Sequence, residues 1–269
     1  MSFRLVSFHA HPDDEALLTA GTLARAVAEG HRVTLVVATA GEAGLAGQPA
    51  GPGLAARRLA ELRASAAAIG CARVVELNYP DSGMHSEHKG FAALDVDEPA
   101  HRLAAILTEE AADALTSYDE HGGYGHPDHV QVHRVARRAA ELAGTPVVLE
   151  ATVDRTALLR VTWPLHKLRL APADFAPSRL RQAYSARADI THRVNVRGYL
   201  DQKRAAMRAH ASQRGGGSDT RTLAYLLRLP RPLFQLALGT EWFVEAGRTP
   251  GPDGPSDDIF QTLRHRPAR

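Results

Sequence analysis

The run His31 to Thr39, H-R-V-T-L-V-V-A-T, constrains the fold more than any other stretch of the chain. Its β-branched and apolar side chains stand on consecutive positions, without the polar alternation that would leave one face in water. It therefore predicts a strand covered on both faces. Strands of that kind belong to parallel sheets layered between helices, and the flanking sequence follows suit. Arg4 to Phe8 reads as a short strand, and Glu15 to Glu29 as a helix stopped by Gly30. Leu54 to Ile69 is an expected helix, Arg73 to Leu77 a strand, Glu98 to Ala111 a helix and Ala114 to Tyr118 a strand. Pro127 to Ala143 then predicts a helix and Pro146 to Glu150 a strand. This succession predicts an α/β architecture: a three-layer, mostly parallel sheet with helices on both faces and right-handed crossovers.

Beyond Ala151 the alternation fades. Trp163-Pro164, Ala171-Pro172 and Ala176-Pro177 are expected to interrupt any long helix. Asp189 to Val196 reads as a strand, Gly198 to Ala211 as a helix, and Gly41 to Gly53 and Gly215 to Ser218 as loops; Gly247 to Pro255 is expected to be irregular. The 269 residues are expected to form one domain, with a core in 1–150 and a less regular part in 151–269. Lys+Arg 32 against Asp+Glu 30 is too balanced for an electrostatic grip on nucleic acid or on an anionic membrane. The lone Cys71 reads as a small buried residue in a reducing compartment. With no signal-peptide pattern and no long apolar run, the expected location is cytoplasmic.

Two clusters carry the chemistry. At the end of the first strand stands His9-Ala10-His11-Pro12-Asp13-Asp14-Glu15, and after the fourth Asp119-Glu120-His121-Gly122-Gly123-Tyr124-Gly125-His126-Pro127-Asp128-His129. Ligands of open parallel sheets bind at the carboxyl ends of strands, so both loops enter one site. Three carboxylates within seven residues repel one another without a cation. Two His and one Asp drawn from separate loops make a three-ligand zinc site with one position open to water, the arrangement of a catalytic rather than a structural zinc. The competing reading takes the aspartates as helix N-caps and the histidines as solvated turn residues. Two copies of H-P-D, each at a strand end, favour the metal.

These motifs identify the family that the chain resembles. A-H-P-D-D-E at Ala10 to Glu15 and G-G-Y-G-H-P-D-H at Gly122 to His129 resemble the hallmarks of the PIG-L/LmbE-type N-acetylglucosaminyl deacetylases, without substitution. The resemblance spans Arg4 to Glu150 and, more loosely, the helix Asp201 to Gln213. It implies a Rossmann-like fold with zinc at the carboxyl edge of the sheet, held by His11, Asp14 and His129, and Asp13 as general base. It further implies His126 as a donor to the tetrahedral oxyanion, Tyr124 closing over the site, and Arg58 and Asp81 as hydrogen-bond partners of sugar hydroxyls. Either protonated His126 or Asp13 delivers the proton to the leaving amine. Asp128 is expected to orient His126 or to cap the helix, while His9, Glu15 and His210 are read as supporting residues outside the metal site. Arg58 otherwise reads as a solvated helix arginine, and Asp81 after Pro80 as a turn former.

The expected reaction is zinc-dependent hydrolysis of the N-acetyl or N-acyl amide of an N-acetylglucosaminyl conjugate, a small-molecule partner, with ferrous iron an admissible substitute metal. Alternatives are a conjugate amidase cleaving a larger amide, as in mycothiol-conjugate amidases, and a non-haem iron oxygenase using the same two-His, one-carboxylate set. A dinucleotide-binding fold is excluded by the first turn, which has no G-x-G-x-x-G and whose carboxylates would repel a pyrophosphate. A non-catalytic sugar or metal receptor is disfavoured because no ligand and no base is missing. Gly41 to Ala46 departs from the mycothiol-related branch by being apolar around Leu45, where an apolar aglycone is expected to lie.

Overall fold

The computed structural model describes residues 1–43, 52–84, 90–167, 177–214 and 218–265. Five strands form in the order of the sequence: β1 Arg4–His9, β2 Arg32–Thr39, β3 Arg73–Tyr79, β4 Ala114–Tyr118 and β5 Val147–Thr152. All pair in parallel. Two more, β6 His192–Asn195 and β7 Thr240–Glu245, extend the sheet beyond β5 by antiparallel pairing, giving the order β3-β2-β1-β4-β5-β7-β6. The sheet is thus mostly parallel.

Alternation along β1 assigns the two faces. Leu5 joins a cluster with Leu23, Val33, Leu149, Met207 and Phe243, while Val6 and Phe8 join Val36, Leu103, Leu115 and Val132 on the other side. Helices α1 (Asp14–Leu18), α2 (Ala20–Ala28) and α3 (Pro52–Ile69) precede α4 (Asp97–Glu109) and α5 (Pro127–Ala143) in the chain. Leu23 of α2 faces the first cluster, Leu103 of α4 and Val132 of α5 the second, and Leu62 of α3 packs on Leu35 and Val37 of β2. Both faces of the central strands are therefore dry, as the unbroken apolar run of β2 requires.

Three expectations need correction. The helix expected over Glu15 to Glu29 is two, parted at Thr19 (φ −131). The Thr19 hydroxyl bonds the His9 ring at 3.1 Å and the Glu15 carbonyl at 3.3 Å, a local side-chain alternative to helical continuation. Pro164 does not end its helix: α6 runs Arg155–Lys167 with the proline inside. It lies three residues from the carboxyl end, where little helix remains to be disrupted. The third concerns the stretch after Ala151. It supplies α7 (Pro177–Leu180), β6, α8 (Leu200–Ala209), α9 (Ser218–Arg228), α10 (Arg231–Leu238), β7 and α11 (Gln261–Arg264), so it is far more regular than its prolines imply.

The apolar loop positions around Leu45, the Ala171-Pro172 break, Ala176, and the glycines 215–217 lie outside the described residues. Among the described residues no helix is long and apolar enough to cross a membrane.

Candidate active site

Strand order reverses beside β1: the chain builds outward from β1 to β3 on one side, then returns to lay β4 on the other. Loops leaving β1 and β4 therefore diverge in opposite directions and open a crevice between them, the place where open α/β sheets bind ligands. Tyr118, the last residue of β4, ties the two strand ends together. Its phenol oxygen accepts the Ala10 backbone N–H at 3.1 Å, and its ring stacks on His129 with centroids 4.2 Å apart and planes 3° from parallel.

The carboxylate of Asp14 joins the two loops. It stands 3.4 Å from His11 Nδ1 and 3.4 Å from His129 Nε2. His129 is 1% exposed, and among the described residues neither ring nitrogen has a hydrogen-bond partner; the Asp14 contact is at ion-pair reach. A buried imidazole with two orphaned nitrogens facing a carboxylate calls for an ion. His11 shows the same demand for positive charge. Burial opposes its protonation, yet Asp128, Asp14 and Asp81 hold its pKa well above the usual histidine range. Asp14 is pushed well below the usual carboxylate range: burial opposes this, but His129 and His11 outweigh it. Nitrogen and carboxylate donors gathered from two loops suit zinc or another borderline divalent metal.

Two overlapping groups bring ligand atoms within 4.8 Å of one another: His11, His126 and His129, and His11, Asp81, His126 and Asp128. Asp14 belongs to neither, although it touches two of the three histidines, so hydrogen bonding must separate ligands from neighbours. His126 is the N-cap of α5, and its Nδ1 accepts the Asp128 backbone N–H at 3.1 Å. A neutral ring then carries its proton on Nε2, which makes that atom a donor and closes it to a cation. Burial, then His11 and His129, push its pKa down to about 3, in keeping with a neutral ring. His11 is the reverse case. Its Nε2 lies 3.1 Å from Asp128 Oδ2, so donation there leaves Nδ1, the atom beside Asp14, free to bind a metal.

Asp128 thus engages His126 through its backbone amide, as expected of it, while its carboxylate turns to His11; the cap of α5 is His126, not Asp128. From the first turn of α5 the Asp128 carboxylate accepts the Ser82 and Ala92 amides at 3.1 and 3.0 Å, which leaves it facing His11. Asp81 also turns inward. Its Oδ1 sits 3.4 Å from His11 Nε2 and accepts the Gly83 amide, its Oδ2 accepts the Ala43 amide, and its pKa is depressed: burial opposes, and His11 prevails.

Arg58 is 4% exposed, so it is no solvated helix arginine. Its terminal nitrogens donate to Gly41 O (2.6 Å) and Pro12 O (2.8 Å), and Nη2 lies 3.3 Å from Asp13 Oδ2. Gly41 at φ +68 lets this guanidinium approach, since an added Cβ would meet it at 2.3 Å. Asp13 has φ 118 and ψ −25, a region that L residues rarely adopt. Burial raises its pKa to about 6, Arg58 pulls the other way, and Asp14 and Glu15 add to the rise. Tyr124, 48% exposed, sets its ring edge-on to His126 and His129 from a loop whose glycines at 122, 123 and 125 all have positive φ.

Several contacts of this arrangement escaped the sequence. Tyr118 looked like a strand residue, and only its place next to the acidic loop signals more. Asp119, 1% exposed, accepts the His121 and Gly123 amides and the hydroxyls of Thr152 and Ser185, and so shapes the loop that carries Tyr124. Glu15 and His210, fully buried, are 2.6 Å apart across 195 residues of sequence.

The family model described as PIG-L, GlcNAc-PI de-N-acetylase, matches residues 6–140. The 1D-myo-inositol 2-acetamido-2-deoxy-alpha-D-glucopyranoside deacetylase of Thermobifida fusca is 35% identical over 96% of this chain and 98% of its own. Among solved structures, the N,N'-diacetylchitobiose deacetylase of Pyrococcus horikoshii superposes with TM-score 0.61 at 19% identity, over 93% of this chain and 88% of its own. The 4-carboxy-2-hydroxymuconate hydratase GalB of Pseudomonas putida does so with TM-score 0.60 at 16% identity, over 93% and 98%. A deacetylase and a hydratase on one backbone show that these two likenesses speak for the fold alone. The expectation that the loop at Gly41 to Ala46 sets the chain apart from the mycothiol-related branch finds no support, since a near-full-length relative carries the inositol glucosaminide name.

Proposed function

The chain belongs to the PIG-L family of GlcNAc-PI de-N-acetylases, and on that premise we propose that it hydrolyses the N-acetyl amide of an N-acetylglucosaminyl conjugate, releasing acetate and a free amino sugar. The observation that carries this reading is Asp14, set 3.4 Å from one histidine of each loop, with both nitrogens of His129 left without hydrogen bonds among the described residues. His11, Asp14 and His129 would hold a zinc ion, with ferrous iron an admissible substitute. When bound, zinc would supply a Lewis acid that lowers the pKa of water to about 7 and polarises the amide carbonyl.

The chain's own residues do the rest. Asp13, aimed by Arg58, takes a proton from the attacking water. His126 offers its Nε2–H to the oxygen on which negative charge develops, a contribution of about 3 kcal/mol for a well-placed donor. Because His126 Nδ1 is already engaged by the Asp128 amide, Asp13 is the group that returns the proton to the leaving amine. Tyr124 closes over the reacting amide. Arg58 enters the proposal through its hold on Asp13 and the His11–Pro12 turn. Asp81 remains the acceptor for a sugar hydroxyl: a carboxylate has about four acceptor positions, and its two backbone amides occupy only part of them. The sugar conjugate named for the Thermobifida relative, a 1D-myo-inositol glucosaminide, is the first substrate to try. A cytoplasmic location belongs to the same proposal and rests on the lone Cys71, which suits a reducing compartment.

A free-amine release assay across N-acyl glucosaminides of varied aglycone and acyl length, with and without chelator, tests the reading. Chelator-sensitive turnover of N-acetyl substrates is expected; inertness of the whole panel with zinc present would contradict it. Asp13→Asn should keep its metal and lose roughly 10²- to 10⁴-fold in kcat.

A further inference from the structure

We propose that Glu15 and His210 are positioning residues for the reaction: they fix the backbone of Asp13 and thereby the aim of its carboxylate. The proposal rests on reading Asp13 as the base. Asp13 sits at φ 118 without a hydrogen bond from its own side chain to cap α1, a conformation of the kind that persists only when its surroundings over-determine it. One restraint is Arg58, which grips the Pro12 carbonyl and the Asp13 carboxylate. The other is Glu15. Its Oε2 accepts the Asp13 amide at 3.0 Å, while its Oε1 accepts the Ser65 hydroxyl at 2.5 Å and meets His210 Nε2 at 2.6 Å. Glu15, Ser65 and His210 are all 0% exposed. Both oxygens of Glu15 are thus committed, one to α3 and the end of α8, the other to the backbone of the base.

A buried acid–imidazole pair is weak as a source of stability, because well-packed apolar side chains of similar volume do as well. What such side chains cannot do is hold a carboxylate in one orientation, with an oxygen directed at the Asp13 N–H. Among the described residues His210 Nδ1 has no hydrogen-bond partner, so the hydrogen-bonded route from this ring to Asp13 runs through Glu15.

His210→Leu removes the donor, and His210→Gln retains one. In zinc-loaded protein the leucine variant should lose roughly 30- to 100-fold in kcat, the penalty of a misplacement near 1 Å, with KM changed less than threefold and zinc still bound one per chain. The glutamine variant should stay within about fivefold of the parent. In crystals of the metal-free leucine variant, Asp13 should leave its positive-φ conformation or swing its carboxylate off Arg58. A kcat within threefold of the parent, equal loss in both variants, or an undisturbed Asp13 would each overturn the proposal. If the leucine variant does not fold, Ser65→Ala decides: a roughly three- to tenfold fall in kcat at constant KM supports positioning, and no change overturns it. Full activity of Asp13→Asn would instead remove the base, whatever His210 does, and the metal-free crystal would still report on the backbone of Asp13.

Discussion

Asp128 acts through a neighbour. Its carboxylate is fixed by the Ser82 and Ala92 amides and meets the Nε2 of His11, the nitrogen away from Asp14, so it sets the tautomer of a candidate ligand. Such partners commonly account for 10- to 100-fold in metal affinity, and Asp128→Asn should weaken zinc binding by roughly that factor. Competition against a chromophoric chelator measures it; an affinity within twofold of the parent would return Asp128 to a packing role. The sequence brought His11, Asp13, Asp14, His126 and His129 to one place because motif and strand end coincide. It did not reveal the Asp128 carboxylate's contact with His11 or Arg58's contact with Asp13, because a side chain two residues from His126, or on a helix 45 positions from Asp13, gives no sign of which neighbour it faces. The Glu15–His210 contact was invisible for the same reason: nothing local in either stretch encodes the other.

At the scale of elements, helix α5 carries His129 and Asp128 into place, and the turn before it is as demanding as the helix itself. Gly122 has φ +62, and an added Cβ would lie 2.7 Å from the Val130 backbone nitrogen in the first turn of α5. Gly122→Ala should therefore cost on the order of 2 kcal/mol in stability and lower kcat by displacing His129, with urea unfolding and steady-state kinetics as the readouts. Unchanged stability would show that the loop relaxes without moving the helix. Ala114 to Tyr118 and Pro127 to Ala143 were legible to the residue, since their periodicities run unbroken between clear stops. Strand β7 was not. Its buried positions are Glu241, Phe243 and Glu245, an alternation with acids on the inside. Glu241 is satisfied by Lys203 and by the Gly21 and Thr22 amides, and Glu245 by Thr262, partners that a pattern of apolar residues cannot reveal.

Across the whole molecule, the antiparallel pair β6 and β7 closes one side of a sheet whose centre holds the site, and its acid sensitivity lies in His192. Burial, then Arg248, lowers the pKa of His192 to about 4 from an ordinary 6.5, with Asp258 opposing; Glu245 lies 3.8 Å from its ring. Below pH 6.5 the unfolded chain takes up this proton and the folded chain does not. Stability therefore falls as pH drops from about 6.5 towards 4, by at most about 3 kcal/mol from this group. Urea unfolding of metal-free protein across that range should show a shallower decline in His192→Phe than in the parent; parallel curves would assign the loss elsewhere. The central claim is that the β1 and β4 loops jointly hold one catalytic divalent ion. It is tested most directly by titrating zinc into chelator-stripped protein while following amine release from an N-acetylglucosaminyl inositol. Turnover should be negligible at first, rise in proportion to added zinc and level off at one equivalent per chain. Full turnover in the stripped protein, or a rise unaffected by replacing both His11 and His129 with alanine, would contradict it.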